Sequence, residues 1–131
     1  MTGRIEERLA ELGVTLPEAP APAANYRPYI VDGGLVHVSG QLPFEGGAPL
    51  TGRLGDTLAV AAGQRAARLC VLAVLAQLRA AAGGDLDRLA QTVRITGYVN
   101  STPDFTEQPK VINGASDLLA EALGEAGAHA R

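Results

Sequence analysis

The chain has little of what several common chemistries require. It holds one cysteine, Cys70, one methionine and no tryptophan among its 131 residues. A lone cysteine cannot close an intrachain disulfide and supplies no Cys/His set at metal-ligand spacing, a usage that suits a reducing compartment. Long apolar runs are also missing. The longest, Leu69 to Ala76, falls far short of the roughly 20 residues needed to cross a bilayer. The start, Met1 to Gly13, interleaves acids with bases and lacks the apolar run of a secretion signal. Neither secretion nor membrane insertion is expected, and the cytoplasm is the default location. No block of like charge occurs, and the formal net charge is -3 from 11 basic and 14 acidic residues. Nothing therefore prepares a surface for phosphates or anionic lipid, and nucleic acid is an unsupported partner. Walker loop, dinucleotide fingerprint and nucleophile elbow are absent, so generic dehydrogenase and hydrolase readings lose weight.

What is present is enough apolar material, 47% of residues, for one core but not two. One domain is expected over residues 1–131, with an N-terminal helix and Pro/Ala connector in 1–24 and the main body in 25–131. Because the aromatics are only Phe44, Phe105, Tyr26, Tyr29 and Tyr98, that core must be built from Ala, Leu and Val. Ile5, Leu9 and Leu12 recur at helical spacing before Gly13, and Pro17, Pro20 and Pro22 then keep the chain extended. Tyr29 to Asp32 and Leu35 to Ser39 flank Gly33-Gly34, a pair that supplies the positive φ angles of a tight hairpin turn. Gly40 is expected to permit close backbone approach at the strand end, and Pro43 to stop the ladder. A short strand is expected around Leu50 to Leu54. Asp56 or Thr57 is placed as the cap of a long helix running to about Ala82, with Cys70, Val74, Leu78 and Ala81 as one stripe and Val71, Leu72 and Leu75 widening it. Asp85 to Leu89 is a turn. Thr92 to Asn100 alternates strictly and predicts a strand, and a second helix is expected from about Thr106 to Leu123, carrying Ile112, Leu119 and Leu123. Strands mixed with two amphipathic helices describe a two-layer α+β sandwich, the helices on one face of one mixed sheet.

Few residues propose chemistry by type alone. His37 reads as a half-buried strand residue, and neither it nor His129 is assigned a catalytic role. Cys70 lies mid-helix among apolar neighbours and reads as an inert core thiol. Asn113, inside the second helix, needs solvent or a hydrogen-bond partner because asparagine is a mediocre helix-interior residue.

Several segments together resemble the RidA/YjgF family, also labelled endoribonuclease L-PSP: Asn25-Tyr26-Arg27-Pro28-Tyr29, Val38-Ser39-Gly40-Gln41-Leu42-Pro43, Phe105 followed by Asn113, and Ala130-Arg131. The N-terminal helix and the run Gln108 to Asp117 resemble a longer, less characterised subfamily. The resemblance implies a chorismate-mutase-like homotrimer with clefts between subunits, hydrolysing 2-aminoacrylate-type enamines and imines to 2-keto acids and ammonia without metal or organic cofactor. It implies that Arg131 grips the small-molecule substrate's carboxylate, that Tyr29 and Asn113 shape the pocket, and that Ser39 and Gly40 line it. Relatives carry two further strands beyond the position of Arg131, and the chain is expected to lack these. A non-catalytic trimeric binder of small carboxylates is the alternative reading. Ribonuclease activity, the family's other label, finds no electrostatic footprint in this acidic sequence.

Overall fold

The computed structural model describes residues 3–131, so Met1 and Thr2 of the expected N-terminal segment lie outside the described residues. Three helices and two short hairpins make up its regular structure: α1 (Arg4–Glu11), β1 (Tyr29–Asp32), β2 (Leu35–Val38), β3 (Phe44–Glu45), β4 (Ala48–Pro49), α2 (Val60–Ala81) and α3 (Gln108–Leu123), with 3-10 turns at Leu86–Arg88 and Gly124–Gly127.

The core is the seam between α2 and α3. Gly63, Ala67, Val71 and Leu75 recur every fourth residue of α2 and are buried, as are Val111, Ala115, Leu118, Leu119 and Ala122 of α3. This line, and not the expected Cys70-Val74-Leu78-Ala81 stripe, is the deep one; those four are only half-buried. The reason is size, since the small residues of the Gly63-Ala67 row let the helices approach closely. The approach is closest at Gly114, where a Cβ would stand 2.1 Å from the Gln64 carbonyl oxygen. Ala73, Ala76 and Gln77 are buried on a second face of α2, so the helix is covered on more than one side as its broad apolar surface predicts. Gln77 Nε2 donates to the Pro20 carbonyl at 2.7 Å, which ties the connector to α2 and satisfies a buried amide.

Helix α1 docks Ile5 and Leu9 into the same core beside Leu86. Its N-terminus is capped from a distance: Asp87 accepts from Arg4 N at 2.7 Å and Ile5 N at 2.9 Å, bridging 82 or more residues. These two backbone N–H groups, that of Ile5 foremost, hold the Asp87 carboxyl below the ordinary value of 3.8. A carboxylate depressed in the folded state stabilises that state above its unfolded pKa, and the contribution is lost as pH falls through the folded value, here below 3.8. Asp87→Ala is expected to unlatch α1, so that the Arg4 and Ile5 amides lose hydrogen-exchange protection while α2 and α3 keep theirs. Unchanged protection at both amides would show that the apolar contacts of α1 suffice.

The β1–β2 hairpin matches its sequence signature, with Gly33 at φ 57° and Gly34 at φ 81° in the turn and Tyr29 opposite Val38. Other expected elements differ. The second hairpin, β3–β4, turns at Gly46-Gly47, and no strand runs from Leu50 to Leu54; Leu54 makes only single bridges, to Leu58 and Ser101. Helix α2 begins after Ala59 because Thr57 is spent in the preceding turn, its hydroxyl accepting from Arg53 N at 2.9 Å. Thr92 to Asn100 is extended but forms no ladder. It is held by Thr92 N to Ala126 O at 2.7 Å, by Ile95 N to Ala130 O at 3.0 Å, by Ala130 N to Val93 O and by Leu54 N to Asn100 O, the latter two both at 2.9 Å. Alternation gives a segment two faces, but a strand needs a backbone partner along its length, and among the described residues Thr96 to Val99 have none. The α+β class stands, with the sheet component present as two small antiparallel sheets and isolated bridges. No described helix is long and apolar enough to cross a membrane.

Candidate functional site

Packing Ile112 of α3 onto the extended segment at Gly97, where any Cβ would stand 2.3 Å from Ile112 Cδ1, opens a cleft beside the contact. Its volume is about 300 Å³, and Thr96, Gly97, Val99, Gln108, Pro109, Ile112, Arg94 and Arg131 line it.

Arg131 reaches this cleft because the chain after α3 folds back. The Gly124–Gly127 turn reverses it, and Ala130 then bridges to Arg94. Gly127 is required at the reversal, since a Cβ there would meet the Leu119 carbonyl oxygen at 2.1 Å. The guanidinium lies along the first turns of α3. Nη1 donates to Asn113 Oδ1 at 2.9 Å and Ser116 Oγ at 3.1 Å, and Nη2 donates to the Pro109 carbonyl at 3.0 Å. Asn113 and Ser116 stand three residues apart and so share one helix face. A guanidinium has five N–H donors in a fixed fork. Three are taken, and Nε–H with one Nη2–H has no acceptor among the described residues, the complement of one carboxylate. Gln108 Nε2 donates to Phe105 O at 2.9 Å and Ser101 Oγ at 3.3 Å, which leaves Oε1 as the amide's acceptor on the cleft wall.

Asn113 and Arg131, expected together, are together. Tyr29, Ser39 and Gly40 are elsewhere in the chain, at the base of the β1–β2 hairpin, and do not line this cleft. Ser39 is occupied locally, its Oγ donating to the Arg27 carbonyl at 2.6 Å and its N to Pro28 O at 2.9 Å. Among the described residues, none other than its two chain neighbours comes within 4 Å of where a Gly40 Cβ would sit, so the close backbone approach expected there is not made among them. Ser116 and His129 were not singled out from the sequence as site residues, although Ser116 touches the Arg131 guanidinium and His129 Nε2 lies 2.8 Å from Ser116 Oγ. Nothing in a lone histidine and a helical serine 13 positions apart signals that contact. Cys70 is distant in role as well as place, for burial pushes its thiol up, away from the reactive thiolate. No group of three or more His, Cys, Asp or Glu among the described residues could hold a metal ion.

The fold and this cleft define a small α+β protein that presents a fixed guanidinium at the rim of an apolar pocket. Residues 6–131 match the model of the family described as "YjgF/chorismate_mutase-like, putative endoribonuclease", and the chain belongs to that family. It is 51% identical over 132 residues to Protein TCP17 of Trypanosoma cruzi, covering 99% of this chain and 82% of that protein. Among solved structures it resembles Atu1372 of Agrobacterium tumefaciens, whose function is unknown, with 50% identity and a TM-score of 0.89 over 98% of this chain and 78% of that one. A protein of Shewanella oneidensis described as a "putative endoribonuclease" is 42% identical, with a TM-score of 0.93 over 97% of this chain and 84% of that one. The chorismate-mutase-like fold expected from the sequence is thereby shown.

Proposed function

We propose that the protein hydrolyses enamine and imine forms of small 2-amino acids to 2-keto acids and ammonia, with Arg131 holding the carboxylate. The observation that carries this reading is the half-used fork. Three protein acceptors fix the guanidinium, and two parallel donors remain for a planar oxyanion beside an apolar wall of Val99, Pro109 and Ile112. An enamine first tautomerises to the imine. Water then adds to the C=N carbon, and the resulting carbinolamine expels ammonia as the carbonyl forms, so one water enters and one ammonia leaves. A protonated imine carbon accepts water readily, and orientation supplies much of what such a reaction needs. Gln108 Oε1 is suited to accept from the imine or enamine N–H at the other end of the substrate.

In this reading the site is completed by a second copy of the chain, in a homotrimer, which brings Tyr29, Ser39 and Gly40 of a neighbour to the Arg131 cleft. Supporting it, the open face and tip of the β1–β2 hairpin expose Ile30 at 48%, Leu35 at 50% and Val31 at 56%, and Tyr98 on the extended segment is 92% exposed. Exposed apolar surface of this kind favours association.

The test is the rate of keto acid release from 2-aminoacrylate generated in situ by a serine dehydratase. Acceleration in proportion to added protein supports deaminase chemistry. No acceleration, with calorimetric binding of pyruvate, would instead favour the non-catalytic binder. Ribonuclease action is weighed against by the net charge of -3, and no cleavage of single-stranded RNA is expected at any salt concentration.

A further inference from the structure

We infer that Ser116 and His129 form a positioning relay that makes the Ser116 hydroxyl a pure acceptor for Arg131, and this inference rests on the carboxylate-clamp reading above. The hydrogen-bond directions follow from chemistry. His129 Nδ1 lies 2.6 Å from the Gly127 carbonyl, which can only accept, so Nδ1 carries the hydrogen. In the neutral ring Nε2 is then a lone pair, and the Ser116 Oγ 2.8 Å away must donate to it. With its one hydrogen committed, Ser116 Oγ offers only lone pairs to Arg131 Nη1 at 3.1 Å.

Each link is anchored by the one before it. Gly127 is seated against the Leu119 carbonyl of α3, close enough that no side chain fits between. Its carbonyl sets the His129 tautomer and ring plane, and the ring sets the Ser116 rotor. Ser116 and Asn113 together then hold Nη1 against α3. Without His129, the serine hydrogen is released to bond back along its own helix or to turn toward the cation, where it weakens the contact. His129 does not line the cleft, and its ring bonds Ser116 and Gly127, so its action on substrate runs through Ser116 and Arg131.

The experiment compares Ser116→Ala, His129→Phe, His129→Gln and Arg131→Ala with the unmodified protein, reading KM and kcat for 2-aminoacrylate deamination, pyruvate affinity by calorimetry, and thermal unfolding. Ser116→Ala and His129→Phe should each raise KM and weaken pyruvate binding about tenfold with kcat changed less than about threefold, the size expected for loss of one charge-assisted hydrogen bond. The double variant should be no worse than either single one, because both break the same chain. His129→Gln, whose Oε1 can accept the serine hydrogen, should recover most of the loss. A purely structural histidine would lower the melting temperature alike in the Phe and Gln variants without a selective rise in KM. Unaltered KM and pyruvate affinity in Ser116→Ala and His129→Phe, with Arg131→Ala defective, overturns the relay and leaves the clamp intact. Unaltered affinity in Arg131→Ala, or neither turnover nor pyruvate binding by the unmodified protein, overturns the clamp reading and the relay with it. If Ser116→Ala does not fold, Ser116→Thr, which keeps the hydroxyl, should retain the parent KM, and a tenfold rise there counts against the relay.

Discussion

Arg131→Ala is expected to lower kcat/KM for 2-aminoacrylate deamination by two to three orders of magnitude while leaving thermal stability nearly unchanged. The substitution removes the two free donors that face the cleft. A hydrogen bond to a charged group is worth about 1.5–3 kcal/mol, and about 1.4 kcal/mol is tenfold, so the pair supports a loss of at least about a hundredfold. The stability cost is small because the guanidinium is exposed and its partners, Asn113 Oδ1, Ser116 Oγ and the Pro109 carbonyl, can turn to water. Arg131→Lys should recover little of the lost activity. An ammonium keeps the charge but cannot bond Asn113, Ser116 and Pro109 while presenting two parallel donors to a carboxylate. Steady-state kinetics of the three proteins on freshly generated enamine provide the check. A lysine variant as active as the parent would mean that charge alone, without the fork, suffices.

Gly114→Ala should be the most damaging small substitution for the fold. The new methyl would stand 2.1 Å from the Gln64 carbonyl oxygen, a backbone atom that cannot swing aside. The helices must part, and the contacts of Ala67, Val71, Val111 and Ala115 loosen with them. Overpacking of this kind costs about 1–3 kcal/mol and occasionally more. The roughly 1 kcal/mol by which alanine outranks glycine in a helix offsets only part. With a net cost of about 2 kcal/mol, at a few degrees per kcal/mol for a domain of this size, the melting temperature should fall by roughly 5–10 °C. Gly63→Ala is the control on the same seam. Its methyl would meet only side-chain carbons, of Leu54 and Val111 at 3.1 Å, which can yield by a few tenths of an ångström. Far-UV circular dichroism melts should therefore place Gly63→Ala close to the parent and Gly114→Ala well below. Equal melts would mean that α2 and α3 separate without loss.

Much of the fold could be read in the chain. Gly33-Gly34 marks the hairpin turn because few other residues accept two successive positive φ angles, and the long helix stops beside Gly83-Gly84, where Gly83 N closes onto Ala80 O at 3.2 Å. The misplaced start of α2 and the unformed strand share one cause. Asp56 and Thr57 are competent caps, and Thr92 to Asn100 has competent alternation, but whether a cap hydroxyl or a strand edge is used depends on what competes for it in space. Arg53 N took the Thr57 hydroxyl, and the backbone of Thr96 to Val99 met no hydrogen-bond partner among the described residues. The deep stripe of α2 was likewise hidden. On a helix whose apolar surface is wider than one stripe, the row that faces α3 is selected by how closely the partner approaches, and the partner's Gly114 decides that.

The candidate site divides along the same line. Asn113 announced its need for a partner because a helix-interior asparagine must bond something, while Arg131, Tyr29, Ser39 and Gly40 stood out only through family resemblance. By itself the sequence determined the local vocabulary: the approximate course of helices and turns, a single cysteine, and a chain without Walker or dinucleotide-binding motifs. These follow from periodicity, backbone freedom and residue type, which act over a few residues. Only the tertiary structure decided that Arg131 lies on Asn113 and Ser116, that His129 stands behind the serine, and that Tyr29, Ser39 and Gly40 fall outside the cleft of the same chain. Those pairings join segments 13 or more residues apart, through the reversal at Gly127, and packing rather than local preference sets them.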